Sequence, residues 1–200
     1  MTAVLQSKSL SDDQLVHMAA SGDLEAQNEW VSRFMPRVWR FVCLNCSNRS
    51  DVDDLVQTAM ISALENLHTY QGPKKFCAWL DRLTINVIRT YFRKTRFKRL
   101  FFLPLEATPE FPDYHNTSEQ IENRQLLLTL SLHLSKISPK NKEALVLSML
   151  MGYGAKEIAE ICGCSVEAAW KRTRRGYQEL MTRVGGDLAF KENLLEFCHE

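Results

Sequence analysis

Apolar positions recur every three or four residues along most of the chain, and the strict alternation that marks strands is scarce, so the pattern predicts helices. Ser11 with Gln14 forms a capping box, Leu15, Met18 and Ala19 open the first stripe, and Gly22 ends it. A second helix is predicted from Leu24 toward Cys46, with Pro36 inside it as a kink or a break. After the turn-forming NCSNRS stretch, Asp51 begins a third helix, whose stripe is Val52, Leu55, Val56, Ala59, Ala63, Leu64 and Leu67. Past QGPKK, a fourth carries Phe76, Trp79, Leu80, Leu83, Val87 and Tyr91 on its apolar face.

The helical rhythm stops between Phe101 and Ser118, where FFLPLEATPEFPDYHNTS holds three prolines and reads as a linker. It resumes with Ile121, Leu126, Leu127, Leu130 and Leu134, then with a helix capped by Ser138 that has Pro139 at its first position and ends at GYG. A short helix from Ala155 to Ile161, a CGC turn and a helix capped by Ser165 make a helix-turn-helix pattern. In that last helix Val166, Ala169, Trp170, Thr173, Tyr177 and Leu180 share a face, which makes Trp170 half packed. The predicted fold is all-α: two small helical domains at 1–100 and 119–184, joined by a flexible linker at 101–118, the second being the helix-turn-helix domain. The tail at 185–200 is expected to pack on that second domain as an amphipathic helix through Leu188, Leu194, Leu195 and Phe197, the alternative being a regulatory handle.

With 45% apolar and 24% charged residues the composition is that of a globular chain, and a formal net charge of +1 names no partner. The placement of charge is informative instead. From Arg82 to Arg99 there are seven Lys or Arg and no acid. Arg82, Asn86, Arg89, Arg93 and Arg96 fall on one helix face without acids three or four residues away, so the row requires an anion from outside the helix. Tyr91, Phe92 and Phe97 interleave it, a mixture suited to a nucleic-acid strand. Asp51, Asp54, Thr58, Ile61 and Glu65, with Gln57 at the edge, lie opposite the third helix's stripe; spacing alone makes them a capped, solvated face. Lys171, Arg172, Arg174 and Arg175 crowd the final helix, where a helix-turn-helix meets base edges. Neutralising about four phosphates gives a salt slope near −3.6, roughly a hundredfold loss of binding between about 50 and 200 mM salt.

The first fifteen residues lack a signal peptide's basic flank and apolar block, and no window reaches the roughly 20 apolar residues of a membrane span. The chain is therefore expected in the cytoplasm, without direct membrane insertion and with its six cysteines reduced. Cys43 with Cys46 and Cys162 with Cys164 offer four thiolates for a zinc site or redox pair. Cys43 follows an apolar run, however, and the second pair has the wrong spacing for a zinc knuckle, so burial is the expectation and neither metal nor cofactor is assigned. No nucleophile with a base and no phosphate loop is present, which argues against an enzyme.

Three stretches, DVDDLVQTAMISALENL, FCAWLDRLTINVIRTYFRK and ISPKNKEALVLSMLMGYGAKEIAEICGCSVEAAWKRTRRG, taken in order, resemble the extracytoplasmic-function (ECF) group of bacterial sigma-70 family factors. The resemblance runs from Ser11 to about Leu180. It implies a subunit that binds core RNA polymerase, directs it to promoters through their −35 and −10 elements, helps open the duplex, and is held inactive by an anti-sigma factor wedged against both domains. Asp54, Leu55, Val56 and Gln57 match the family's D-L-V-Q, which implies that Asp51, Asp54, Gln57, Thr58 and Ile61 dock on the clamp helices of the largest subunit, with the flap of the second subunit as a further contact. Trp79, Leu80, Arg82, Leu83 and Asn86 match W-L-x-R-I/L-x-x-N, and by the same resemblance Arg82, Asn86, Arg89, Arg93, Lys94 and Arg96 hold the −10 element. Glu157, Ile158 and Ala159 match the E-I-A of the scaffold helix, and Arg172 and Arg175 match basic positions of the −35 helix. The implied −35 set is Ser165, Glu167, Ala168, Lys171, Arg172, Arg174 and Arg175. The chain departs from the family where Ala169 and Thr173 replace Val and Leu, and where Trp170 and Lys171 replace Lys and Ser. The rival readings are a stand-alone helix-turn-helix regulator and a thiol-based metal or redox protein.

Overall fold

The computed structural model of the protein describes residues 10–46, 51–70, 76–99, 127 and 129–185, and every regular element among them is helical. The first domain comprises α1 (Asp12–Ala20), α2 (Leu24–Asn45), α3 (Val52–Asn66), a 3₁₀ turn (Leu67–Thr69) and α4 (Phe76–Arg99). The second holds a helical stretch at 129–134, then α5 (Pro139–Met149), α6 (Ala155–Cys162) and α7 (Val166–Val184). The predicted linker and tail lie outside the described residues.

Local chemistry sets most of the boundaries. The Ser11 hydroxyl accepts from the Gln14 amide at 3.3 Å while the Gln14 side chain accepts from the Ser11 amide at 3.1 Å, completing the capping box. Asp23 caps α2 through the Ala26 amide at 3.0 Å, and α2 then runs unbroken through Pro36. Ser138 stands at the N-cap of α5 beside Pro139, but its side chain makes no cap hydrogen bond, contrary to the sequence expectation; the proline alone suits the first turn. Gly163 closes α6 in the left-handed region at φ +64, where a side chain would be strained, and Ser165 restarts the chain as the cap of α7.

The first core is aromatic, with Trp30, Phe34 and Phe76 in mutual edge or tilted contact and Trp30 wholly buried. On α4 the buried positions are Phe76, Leu80, Asp81, Thr84, Ile85 and Ile88, whereas Trp79, Leu83, Val87 and Tyr91 are only half-buried. The stripe thus lies beside the predicted one, because α4 is packed from two sides, by α2 and α3 of its own domain and by α6 of the other. Helix α5 shows the same effect more fully. Lys142, Glu143, Ala144, Leu145, Val146 and Leu147 are consecutive and all buried, since α6 and α7 cover part of its circumference and α2 another. The two domains are therefore in contact along α2 and α4 on one side and α5 and α6 on the other.

Candidate nucleic-acid interface

The polar groups at the domain contact define what each basic helix can offer. Asp81, only 1% exposed, accepts from Arg37 Nη2 at 2.6 Å and from Nε at 3.1 Å. Tyr153, from the GYG turn after α5, donates its hydroxyl to the same carboxylate at 2.9 Å and accepts from Arg37 Nη2 at 3.0 Å. Burial works against the Arg37 charge, but the hydrogen bonds and the charge of Asp81 outweigh it and raise the guanidinium's pKa further. Burial, followed by the Asp81 charge, pushes the Tyr153 hydroxyl far above its ordinary range. Lys142 reaches across to donate to the Asn45 carbonyl at 2.7 Å, a cation at the C-terminal end of α2. Its burial lowers its pKa.

Arg89 belongs to this interface as well. Its guanidinium donates to Glu143 Oε2 at 2.6 Å and Oε1 at 3.2 Å, and approaches the Cys162 carbonyl at the end of α6 at 3.4 Å. These bonds to Glu143 raise its pKa above the ordinary value. The Arg82 to Arg96 row was expected to call on an anion from outside the chain; for Arg89 the anion comes from the chain itself, 54 residues on. Helical spacing rules out partners on α4 and says nothing of those on another helix. Arg82, Asn86, Arg93 and Lys94 are exposed, and Arg82, Arg93 and Lys94 form no ion pair among the described residues. The side chain of Arg96 and that of Phe97 lie outside the described residues.

On α3, Asp54, Gln57, Thr58 and Ile61 are exposed opposite the buried Val52, Leu55, Val56, Ala59 and Met60. Ile61 is the apolar member of that face. Asp51 differs: it sits at the N-cap of α3, half-buried, and accepts a hydrogen bond from the Tyr91 hydroxyl on α4. That tie joins two helices of the first domain, and burial followed by the bond to Asp51 pushes the tyrosine up to about 12.

On α7, Ala169, Gly176, Leu180 and Val184 face the domain core. A β-carbon at Gly176 would stand 2.8 Å from the Asn141 carbonyl oxygen, so this glycine lets α5 and α7 approach at backbone distance. Packing through Ala169 and Gly176 turns Val166, Trp170 and Tyr177 outward, and Trp170, read from the sequence as half packed, is 52% exposed. The Arg174 guanidinium lies 5.3 Å from the centre of its ring. Ser165 is spent on the cap, accepting from the Ala168 amide at 3.2 Å, and Glu167 pairs with Lys171 at 2.6 Å. Ala168 and Arg172 are half-buried, Arg174 and Arg175 are exposed, and the three arginines form no ion pair among the described residues. The residues that sequence reasoning missed are Arg37, Asp81, Lys142, Glu143 and Tyr153. The available signal was Asp81 at helical spacing from Cys77, Ile85 and Ile88, and Lys142 and Glu143 directly before ALVL.

Cys43, Cys46, Cys77, Cys162 and Cys164 are thiols, and burial pushes Cys77 up and Cys162 to about 11, the reverse of a reactive thiolate. Among the described residues no cluster of His, Cys, Asp and Glu could hold a metal ion, and no described helix is long and apolar enough to cross a membrane.

Comparison with known proteins resolves the two domains. The model of sigma-70 region 2 matches residues 30–98, and that of sigma-70 region 4 matches residues 128–180. The chain is an ECF sigma factor of the sigma-70 family. It is 27% identical to the RNA polymerase sigma factor CnrH of Cupriavidus metallidurans over 88% of this chain and 96% of that one. The ECF RNA polymerase sigma-E factor of Escherichia coli is likewise 27% identical, over 89% of this chain and 96% of its own. CnrH solved in complex with the cytosolic domain of CnrY shares the fold at a TM-score of 0.60 and 24% identity, covering 84% of this sigma factor and 93% of CnrH. The sigma factor RpoE of Bartonella quintana, solved with the anti-sigma factor NepR, does so at 0.66 and 20%, covering 80% and 97%. Region 2 in this sigma factor is α2 to α4, which leaves a stand-alone helix-turn-helix regulator without support.

Proposed function

We propose that this sigma factor docks on core RNA polymerase through the exposed α3 face and meets promoter DNA through α4 and α7. The carrying observation is that Asp54, Gln57, Thr58 and Ile61 form one exposed face that includes an outward isoleucine, while the basic turn of α7 is exposed on the second helix of a helix-turn-helix. Asp54, Gln57, Thr58 and Ile61 engage the clamp helices of the largest polymerase subunit, and Asp51 acts behind them by fixing the start of α3 on Tyr91. Region 4 meets the flap of the second subunit. Arg82, Asn86, Arg89, Arg93, Lys94 and Arg96 take the −10 element, and Arg172, Arg174 and Arg175, with Lys171, take the −35 duplex. Ser165, Glu167 and Ala168 set the first turn of α7 rather than its charge.

Engaging the −10 element with Arg89 requires α4 to part from α5 and α6, because Glu143 occupies that guanidinium in the described arrangement. A cytoplasmic anti-sigma protein wedged against both regions keeps the factor silent; in support, RpoE of the same fold is solved bound to an anti-sigma factor. Replacing Asp54 or Gln57 by Ala should weaken binding of the full chain to core polymerase about tenfold, the scale of one interfacial hydrogen bond to a charged group, with an unchanged unfolding midpoint. Unaltered affinity would remove α3 from the interface.

A further inference from the structure

We infer that Trp170, backed by Val166, is a specificity-determining residue of the −35 contact and reads the methyl group of a thymine in the major groove. The inference deepens the proposed −35 role of α7 and rests on it. Val166 and Trp170 are 46% and 52% exposed and lie four residues apart, on one side of the first two turns after the Ser165 cap. Those turns are the part of the second helix that meets base edges in a helix-turn-helix. Tyr177, equally exposed, is eleven residues from Val166, about 16 Å further along the axis, and lies beyond that reach.

The chemistry of the pair narrows what it can read. Valine offers no polar atom, and the indole ring presents two apolar faces and a single N–H donor. A phosphate gains nothing from valine and at most one N–H bond from the indole, which leaves both ring faces unused. Among the groups a base pair shows in the major groove, the apolar one is the thymine C5 methyl. Arg174 supplies the second element, since its guanidinium over the ring orients the indole and carries positive charge beside it, where the DNA backbone passes. The domain does not need Trp170 as core, for Ala169, Gly176, Leu180 and Val184 already fill the face toward α5. Trp30, by contrast, is wholly buried, which shows what this chain does with a tryptophan that serves packing.

The test uses the full chain reconstituted with core polymerase and a pool of duplexes randomised across the −35 window. From the enriched duplex, each thymine is replaced singly by deoxyuracil, which removes only the methyl group. One replacement should cost wild type about fourfold in affinity, the factor carried by burying one methyl-sized group. Trp170→Ala should abolish that penalty, Trp170→Phe should keep part of it, and Arg174→Ala should reduce it. Binding to core polymerase is measured in parallel and should be the same for all variants. A deoxyuracil penalty that persists in Trp170→Ala, or no methyl-sensitive thymine in wild type, would overturn the inference and leave the patch to another partner. Failure of the pool to enrich at the −35 window at all would overturn the −35 role of α7 itself, a different outcome from either.

Discussion

Helices α4 and α7 carry similar rows of cations and lie in opposite situations. On α4 the packing is two-sided, Asp81 and Thr84 are buried within the stripe, and Arg89 is committed to Glu143. On α7 only one side is packed, Arg172, Arg174 and Arg175 keep their charge unpaired among the described residues, and a tryptophan is turned outward. The contrast teaches that a basic row is not in itself a binding surface, because its availability is decided by the helices packed around it. In this arrangement the cations of α7 are open to an outside partner, and those of α4 only in part.

The largest effect should come from the centre of the two-sided packing. Asp81→Ala strands the Arg37 guanidinium and the Tyr153 hydroxyl, and breaking a buried pair costs about 3–5 kcal/mol, read as a lower denaturant midpoint. A loss below about 1 kcal/mol would mean that water replaces the carboxylate and that the α4 side is as open as α7. A smaller effect belongs to the one-sided packing. Gly176→Ala places a methyl 2.8 Å from the Asn141 carbonyl oxygen and 3.1 Å from the Leu145 β-carbon, and neither can swing away as a flexible side chain would. Overpacking of about 1–3 kcal/mol, offset by up to about 1 kcal/mol of helix propensity, predicts a net loss near 1 kcal/mol and a lower thermal midpoint. A variant more stable than the parent would show that α5 and α7 part easily.

The same contrast explains what could be read from the sequence. Helix order, the Ser11 and Ser165 caps, the Gly163 turn and the outward face of α3 from Asp54 to Ile61 are set by local spacing, and all were legible; Asp51 starts α3 without a side-chain cap bond, its carboxylate being taken by Tyr91. The domain contact was not, because Arg37, Asp81, Glu143 and Tyr153 are scattered over more than a hundred residues and none has a sequence neighbour that announces its partner. Trp170 was legible only as half packed, and at 52% exposed it is that. Periodicity puts it at the edge of the face shared by Ala169 and Leu180, and which way the edge turns depends on how closely α7 approaches α5 at Gly176, which spacing does not reveal.

The smallest predicted effect probes the contrast most directly. Glu143→Gln keeps the volume of the side chain and removes the charge that holds Arg89, leaving one neutral amide oxygen and the Cys162 carbonyl, 3.4 Å away, as its acceptors. Arg89 is 39% exposed on its side chain, so water screens much of the pair and the stability cost should stay at or below about 1 kcal/mol. The freed guanidinium adds one cation to the α4 row. Binding of the full chain to a single-stranded oligonucleotide should therefore tighten, and its log–log salt slope should steepen by about 0.7, the increment of one further phosphate contact on a single strand. Arg89→Ala in the same background should cancel both changes. Identical slopes for parent and variant would mean that Arg89 stays seated on α6 without Glu143, and that the closed α4 face is held by shape and by Asp81 rather than by this ion pair.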